Sequence, residues 1–163
     1  MKLGQKEFTE KEFFIKLANF CAYQERSIFE VQEKLKGLGA TPAVVKSVIA
    51  ELKTLNYLDE ERFARSFAHG KHRFKNWGKL RITNELQFKH HIAYPLIKSA
   101  LEALDENNEY SDSLFRLAQT KYDKLEGAQQ RFEKSVAYLQ AKGYELNEIL
   151  RVMNKIHTAS VKD

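Results

Sequence analysis

The 163-residue sequence is poor in chain breakers and in sulfur: it has 2 proline, 7 glycine and 1 cysteine residues. So few prolines and glycines cannot supply the many turns of a sandwich or barrel, and a helical fold is the expectation. The lone Cys21 excludes an intramolecular disulfide framework and fits a reducing compartment. Flanked by Phe20 and Ala22, it reads as a buried thiol rather than a reactive one. No stretch approaches the roughly 20 apolar residues that cross a membrane. The charged start MKLGQKEFTEKEFF also lacks the apolar run of a secretory signal, so a soluble, cytoplasmic protein is expected.

Catalytic motifs are missing as well. Gly37-Leu38-Gly39 is a bare helix stop without the Lys-Ser/Thr of a phosphate loop. His69 with His72, and the adjacent His90-His91, have no second ligand cluster and no cysteine partner, so no metal site is expected. Asp59-Glu60-Glu61 is explained by the start of a helix, where carboxylates meet the positive end of the macrodipole. The expectation is a protein that is not an enzyme and holds no cofactor.

What the sequence does have is charge at one address. From Arg62 to Lys89 it carries eight basic residues (Arg62, Arg65, Lys71, Arg73, Lys75, Lys79, Arg81, Lys89) against one acid, Glu85. That segment is at +7, and the other 19 basic and 21 acidic residues leave the rest of the chain at −2. His69, His72, His90 and His91 fall there too and are expected to add charge as pH drops. By the 100° helical step, Phe63, Phe67 and Phe74 form a core-facing stripe opposite Arg62, Arg65, His69, His72 and Arg73. Trp77, beside Lys75 and Lys79, is either a packing residue of the turn or a platform for a base.

Helical period runs through the chain. A first helix is expected at about residues 10–24. Ser27 with Glu30 makes a capping box for a second, and Thr41-Pro42 caps a third. Asp59 opens a fourth helix, broken at Asn76-Trp77-Gly78, and the pattern resumes from Lys79 to His90. Segments at Pro95–Leu104, Leu114–Tyr122, Phe132–Leu139 and Leu146–Ile156 complete nine. Leu35 and Gly39, followed six, nine, ten and thirteen residues later by Val45, Val48, Ile49 and Leu52, match Leu139 and Gly143 with Ile149, Val152, Met153 and Ile156. A middle copy, one residue longer, runs from Leu86 through His90 to Ala100, Leu101 and Leu104. The expectation is an all-α fold of three tandem three-helix repeats (1–56, 57–105, 106–163) in an elongated array.

Tyr57-Leu58-Asp59-Glu60-Glu61-Arg62-Phe63-Ala64-Arg65, then Trp77-Gly78-Lys79-Leu80-Arg81-Ile82 and Glu85-Leu86, resemble the central signature of the RecX family. Arg26-Ser27, Glu30, Lys34-Leu35 and Gly39 resemble its first repeat. The resemblance covers roughly Cys21 to Leu104, and the last third follows by the repeat. It implies a regulator built of three-helix repeats. Such a regulator engages the RecA recombinase and its nucleoprotein filament and restrains strand exchange, ATP turnover and coprotease function. Where the family has Lys-Gly-Ile, this chain has Lys89-His90-His91-Ile92, which is expected to alter the angle between the second and third units.

The residues expected to contact DNA or the RecA filament are Arg62, Arg65, Arg73, Lys75, Lys79 and Arg81. Binding to single- or double-stranded DNA is expected to be weak and non-specific, and the protein to be a monomer. The alternative is a helix-turn-helix transcription regulator, but its basic residues would sit on the second helix of a pair and it would dimerise. A helical scaffold that binds protein alone is a third reading, distinguished by affinity that survives high salt.

Overall fold

The computed structural model describes residues 4 and 6–162; Met1–Leu3 and Gln5 of the charged N-terminal segment, and Asp163, lie outside the described residues. The described chain is all-helical, with helices α1 (Glu10–Tyr23), α2 (Ile28–Gly37), α3 (Pro42–Thr54), α4 (Glu60–Lys75), α5 (Lys79–Asn84), α6 (Tyr94–Ala103), α7 (Glu109–Asp123), α8 (Ala128–Lys142) and α9 (Leu146–Val161). They pack as three-helix units in series: α1 with α2 and α3, α4 with α5 and α6, and α7 with α8 and α9.

Local chemistry sets the helix starts. The Ser27 hydroxyl accepts from the Glu30 N–H while the Glu30 carboxylate accepts from the Ser27 N–H, and Thr9 with Glu12 makes the same reciprocal box on α1. Thr41 caps α3, and Asp59 Oδ1 accepts from the Arg62 N–H at 3.0 Å to cap α4. The ends are set by the repeat. The Ala40 N–H donates to the Leu35 carbonyl at 3.0 Å, and the Tyr144 N–H to the Leu139 carbonyl at 3.2 Å. Between them Gly39 and Gly143 take φ of +88° and +93°, a left-handed conformation that costs a Cβ-free residue nothing.

The middle copy reaches the same end by another route. Residues Glu85–Lys89 widen into one turn of π-helix continuing α5, and the His90 N–H reaches back five residues to the Glu85 carbonyl. The π-turn absorbs the extra residue. The Ile92 N–H then closes on Leu86 at 3.0 Å, six residues back instead of five, and His91 supplies the positive φ of 56°. This corrects one expectation: the α-helix from Lys79 stops at Asn84, and a π-turn carries the chain on to His90. His90 and His91 also face the first unit. His90 Nδ1 lies 3.2 Å from Ser27 Oγ, and the His91 ring packs edge-on to Phe29 with centroids 4.5 Å apart.

The apolar residues form two cores. One, built on Phe13, Leu17, Val31, Leu35, Val48 and Leu52, belongs to the first unit and includes Cys21, whose thiol burial pushes up to about 11. The other runs without interruption from Phe63 and Ala64 through Ile82, Leu86 and Ile97 to Leu114, Leu139, Ile149 and Met153, uniting the second and third units. Each fully buried side chain of this kind contributes about 1.5–3 kcal/mol.

The two junctions differ in kind. Between the second and third units, backbone meets backbone: the Gly78 N–H donates to the Lys142 carbonyl at 2.8 Å and the Leu80 N–H to the Gly143 carbonyl at 2.9 Å. A Cβ on Gly78 would sit 2.4 Å from Gly143 and Tyr144 backbone atoms, and one on Gly143 2.4 Å from Arg81 Cβ. Around this contact His72, Tyr110 and Tyr144 pack ring to ring; the Tyr110 hydroxyl accepts from the Lys79 N–H and donates to Glu145. The first junction is polar. The Ile28 N–H donates to Glu60, Arg62 Nε donates to Glu25 at 2.6 Å, and His90 lies buried on Phe63 and Phe67 beside Ser27.

Two outcomes follow from these junctions. Gly78→Ala has only backbone to displace and should lose about 1–3 kcal/mol in urea unfolding. Gly70→Ala, inside α4 with open space around it, should gain about 0.5–1 kcal/mol. Equal effects would contradict the close approach.

Burial lowers the His90 pKa from 6.5, with Lys89 and Lys71 acting in the same direction and Glu30 and Glu85 opposing. As pH falls through 6.5 the unfolded chain therefore takes up this proton first. His90 should make the protein less stable below that pH, with the loss levelling off beneath the folded-state pKa. Urea midpoints at neutral and mildly acid pH should differ less in His90→Gln than in the parent.

Candidate polyanion-binding surface

Helix α4 carries most of the candidate cations and shows why a stripe drawn at 100° per residue misleads here. Phe63 is buried and Phe67 packs on the core as expected, but Phe74 is 78% exposed and His72 only 3% exposed. The third unit docks on the last turn of α4 and covers the flank where His72 lies. His72 Nδ1 sits 3.0 Å from the Trp77 carbonyl, in the junction with Tyr110 and Tyr144. The expected Arg/His face is thus interrupted, and the expected Phe stripe ends at Phe67.

Two of the six candidate cations are tied into the fold. Arg62 spends its whole fork on the first junction: Nε to Glu25, Nη1 to Asn56 Oδ1 at 3.1 Å and Nη2 to the Asn56 carbonyl at 3.0 Å. Asn56 is the left-handed residue after α3, so Arg62 clamps α4 to the linker. Lys79 Nζ bridges both carboxylate oxygens of Asp105 at 2.8 and 2.6 Å and lies over the Tyr110 ring.

The other four are exposed. Arg65 faces Glu61 across one helical turn at 3.6 Å, an exposed pair that contributes little. Arg73, Lys75 and Arg81 have no ion-pair partner among the described residues. Arg73 and Lys75 sit in the last turn of α4, where the negative end of the macrodipole favours cations. Arg81 lies 4.2 Å from the Trp77 ring centroid and Lys71 5.0 Å from it. Trp77, half-buried against the core, is a packing residue that already holds two cations of its own chain.

Some of this surface escapes a linear reading. The backbone docking at Gly78 brings the end of α8 against the end of α4, and Lys142 Nζ comes to 3.4 Å from the Lys75 carbonyl. Lys142 thus joins the surface from another unit; its only sequence signal is that it precedes the repeat glycine. Leu80 and Phe88 are exposed alongside Phe74, and Arg81, Asn84, Glu85, Phe88 and Lys89 line an open depression of about 680 Å³. The arrangement is open, with long cations and exposed aromatic rings. Cations of this kind release counterions from a polyanion, and exposed rings add stacking or apolar contact.

The helices α4 and α5, which carry most of this surface, lie within a stretch that matches a family model. Residues 59–101 match the family model of the RecX second three-helix domain. The chain is 29% identical over 150 residues to a regulatory protein RecX of Lactobacillus johnsonii, covering 89% of this chain and 54% of that protein. It is 28% identical over 149 residues to one from Vibrio campbellii, covering 91% of this chain and 92% of that protein. Against one from Bacillus subtilis it is 25% identical over 154 residues, 94% of this chain and 58% of that one. The chain thus spans little more than half the length of several relatives it matches. Its fold superposes on the crystal structure of RecX from Lactobacillus salivarius with a TM-score of 0.81 at 19% identity, covering 90% of this chain and 96% of that one. With a matched second three-helix domain, curated relatives aligned over most of its length and a shared helical fold, the chain belongs to the RecX family of regulatory proteins.

Proposed function

We propose that this protein binds the RecA recombinase on DNA and restrains its recombinase, ATPase and coprotease activities. It acts in the cytoplasm as a monomeric regulator that is not an enzyme and needs no cofactor, with units at 1–56, 57–105 and 106–163 as its modules. The observation that carries the reading is the group of exposed cations where α4, α5 and α8 meet. Arg73, Lys75 and Arg81 have no ion-pair partner among the described residues, in a segment with one acid in thirty residues. Arg65 extends that group along α4. Arg62 and Lys79 act on it indirectly, by holding α4 and α5 in place.

Contact with DNA is weak and indifferent to sequence, because exposed cations at helix ends meet phosphates rather than base edges. A series of three-helix units can lie across neighbouring RecA protomers, and a clamp across protomers blocks their exchange or addition.

The test is the RecA–single-stranded DNA ATPase titrated with the triple variant Arg73→Gln, Lys75→Gln and Arg81→Gln. Glutamine removes charge without opposing the helix dipole. The variant should need roughly tenfold more protein for the same inhibition, and the salt dependence of binding should flatten by about one per cation removed. Unchanged inhibition by a folded variant would overturn the assignment of these residues. A single high-affinity duplex site in gel shifts would favour the transcription-regulator reading instead.

A further inference from the structure

The first unit carries a surface that the basic segment does not account for. Between α2 and α3 an open groove of about 530 Å³ is floored by Ile28, Ala40, Pro42, Val45 and Ile49, with Ala50 beside them. Its remaining lining residues are Lys36, Lys46, Lys53 and Gln32, and no carboxylate lines it.

Two acids of adjoining helices are engaged. Glu33 pairs with Lys36 across one turn of α2 at 3.2 Å, and half-buried Glu60 accepts from the Ile28 N–H, with Lys53 acting on it at longer range. Lys46 and Lys53 have no ion-pair partner within 4 Å among the described residues. Seven residues apart, they share one face of α3. From Pro42 to Lys53 the groove follows α3 for about 16 Å, the length of three helical turns.

We propose that this groove receives a short acidic amphipathic helix from a partner protein. Apolar side chains at i, i+3 or i+4, and i+7 fill the floor, and Asp or Glu residues on the flanks meet Lys46 and Lys53. The chemistry selects against nucleic acid here: the floor presents methyl groups where a phosphate backbone needs cations, and no aromatic ring lines it for a base. The inference rests on the first unit, with its own core, and is independent of the proposed function.

The test is an amide NMR titration of the whole protein with a designed acidic amphipathic peptide of about 14 residues. The comparators are its scrambled sequence, a version with Lys in place of Glu, and an oligothymidylate. The acidic peptide should shift the amides of Gln32, Lys46, Ala50 and Lys53, and the comparators should not. Two variants altered at exposed positions, checked for fold by circular dichroism, read the two halves of the idea. Lys46→Glu with Lys53→Glu removes the charge match, and Ala50→Trp fills the groove. Each should weaken the peptide at least roughly tenfold. Absence of any groove shift at about 1 mM acidic peptide, the limit of weak specific binding, overturns the proposal. So does equal binding of the scrambled peptide or undiminished binding to Ala50→Trp. Oligothymidylate shifting the same amides would make the groove a nucleic-acid surface and overturn it as well.

Discussion

The contact on which the shape of the protein depends is the one with no side chains in it. Residues 78–80 lie against residues 142–144 backbone to backbone, through two hydrogen bonds that glycine at both 78 and 143 makes possible. A Cβ on either side would sit at 2.4 Å from atoms that cannot rotate away, so the approach tolerates only hydrogen there. That closeness lets the core run unbroken from α4 to α9 and buries His72, Tyr110 and Tyr144 as one polar-aromatic knot. Burial raises both tyrosine pKa values, so the hydroxyls stay neutral, and Tyr110 can hold Lys79 and Glu145 at once.

The first junction follows the opposite rule. It is made by a carboxylate on a helix N-terminus, a forked arginine and a histidine against a serine, with the two cores remaining separate. Hydrogen-bonded polar junctions specify direction well but gain little net free energy per contact, whereas a shared core gains with every apolar area removed from water. The molecule is therefore built as one unit joined by directional bonds to two units fused by packing. Arg62 shows what this does to function: its charge lies in the basic segment, but each of its three guanidinium nitrogens donates to the joint.

Much of this was legible before any coordinates. The Ser27–Glu30 capping box, Asp59, Thr41-Pro42 and the glycines after Leu35 and Leu139 are local chemistry, and local chemistry acts the same way wherever a helix lands. The one-residue lengthening of the middle repeat was visible in the spacing, and its absorption by a π-turn is the least disruptive way to keep Leu86 and Ile92 in place. What periodicity misplaced was decided between units. The 100° step put His72 outside and Phe74 inside because it assumes one buried face, whereas α4 packs against its own unit on one side and the third unit on another. That His90 and His91 meet the first unit was not legible for a related reason, since sequence distance does not say which neighbour a helix end meets. The joining of Lys142 to Lys75 depends on a docking that no single segment encodes.

The same distinction revises what a charged segment means. A count of +7 treats eight cations as equivalent, but the fold sorts them by the partners within reach. Arg62 and Lys79 are neutralised by carboxylates from neighbouring elements, and Lys71 and Arg81 lie over aromatic rings. Arg73 and Lys75 sit where the end of α4 already attracts positive charge. A helix C-terminus that gathers cations without pairing them leaves those cations available to an outside polyanion. Because α4 and α8 both end at this junction, the backbone contact between their units decides where that unpaired charge is concentrated.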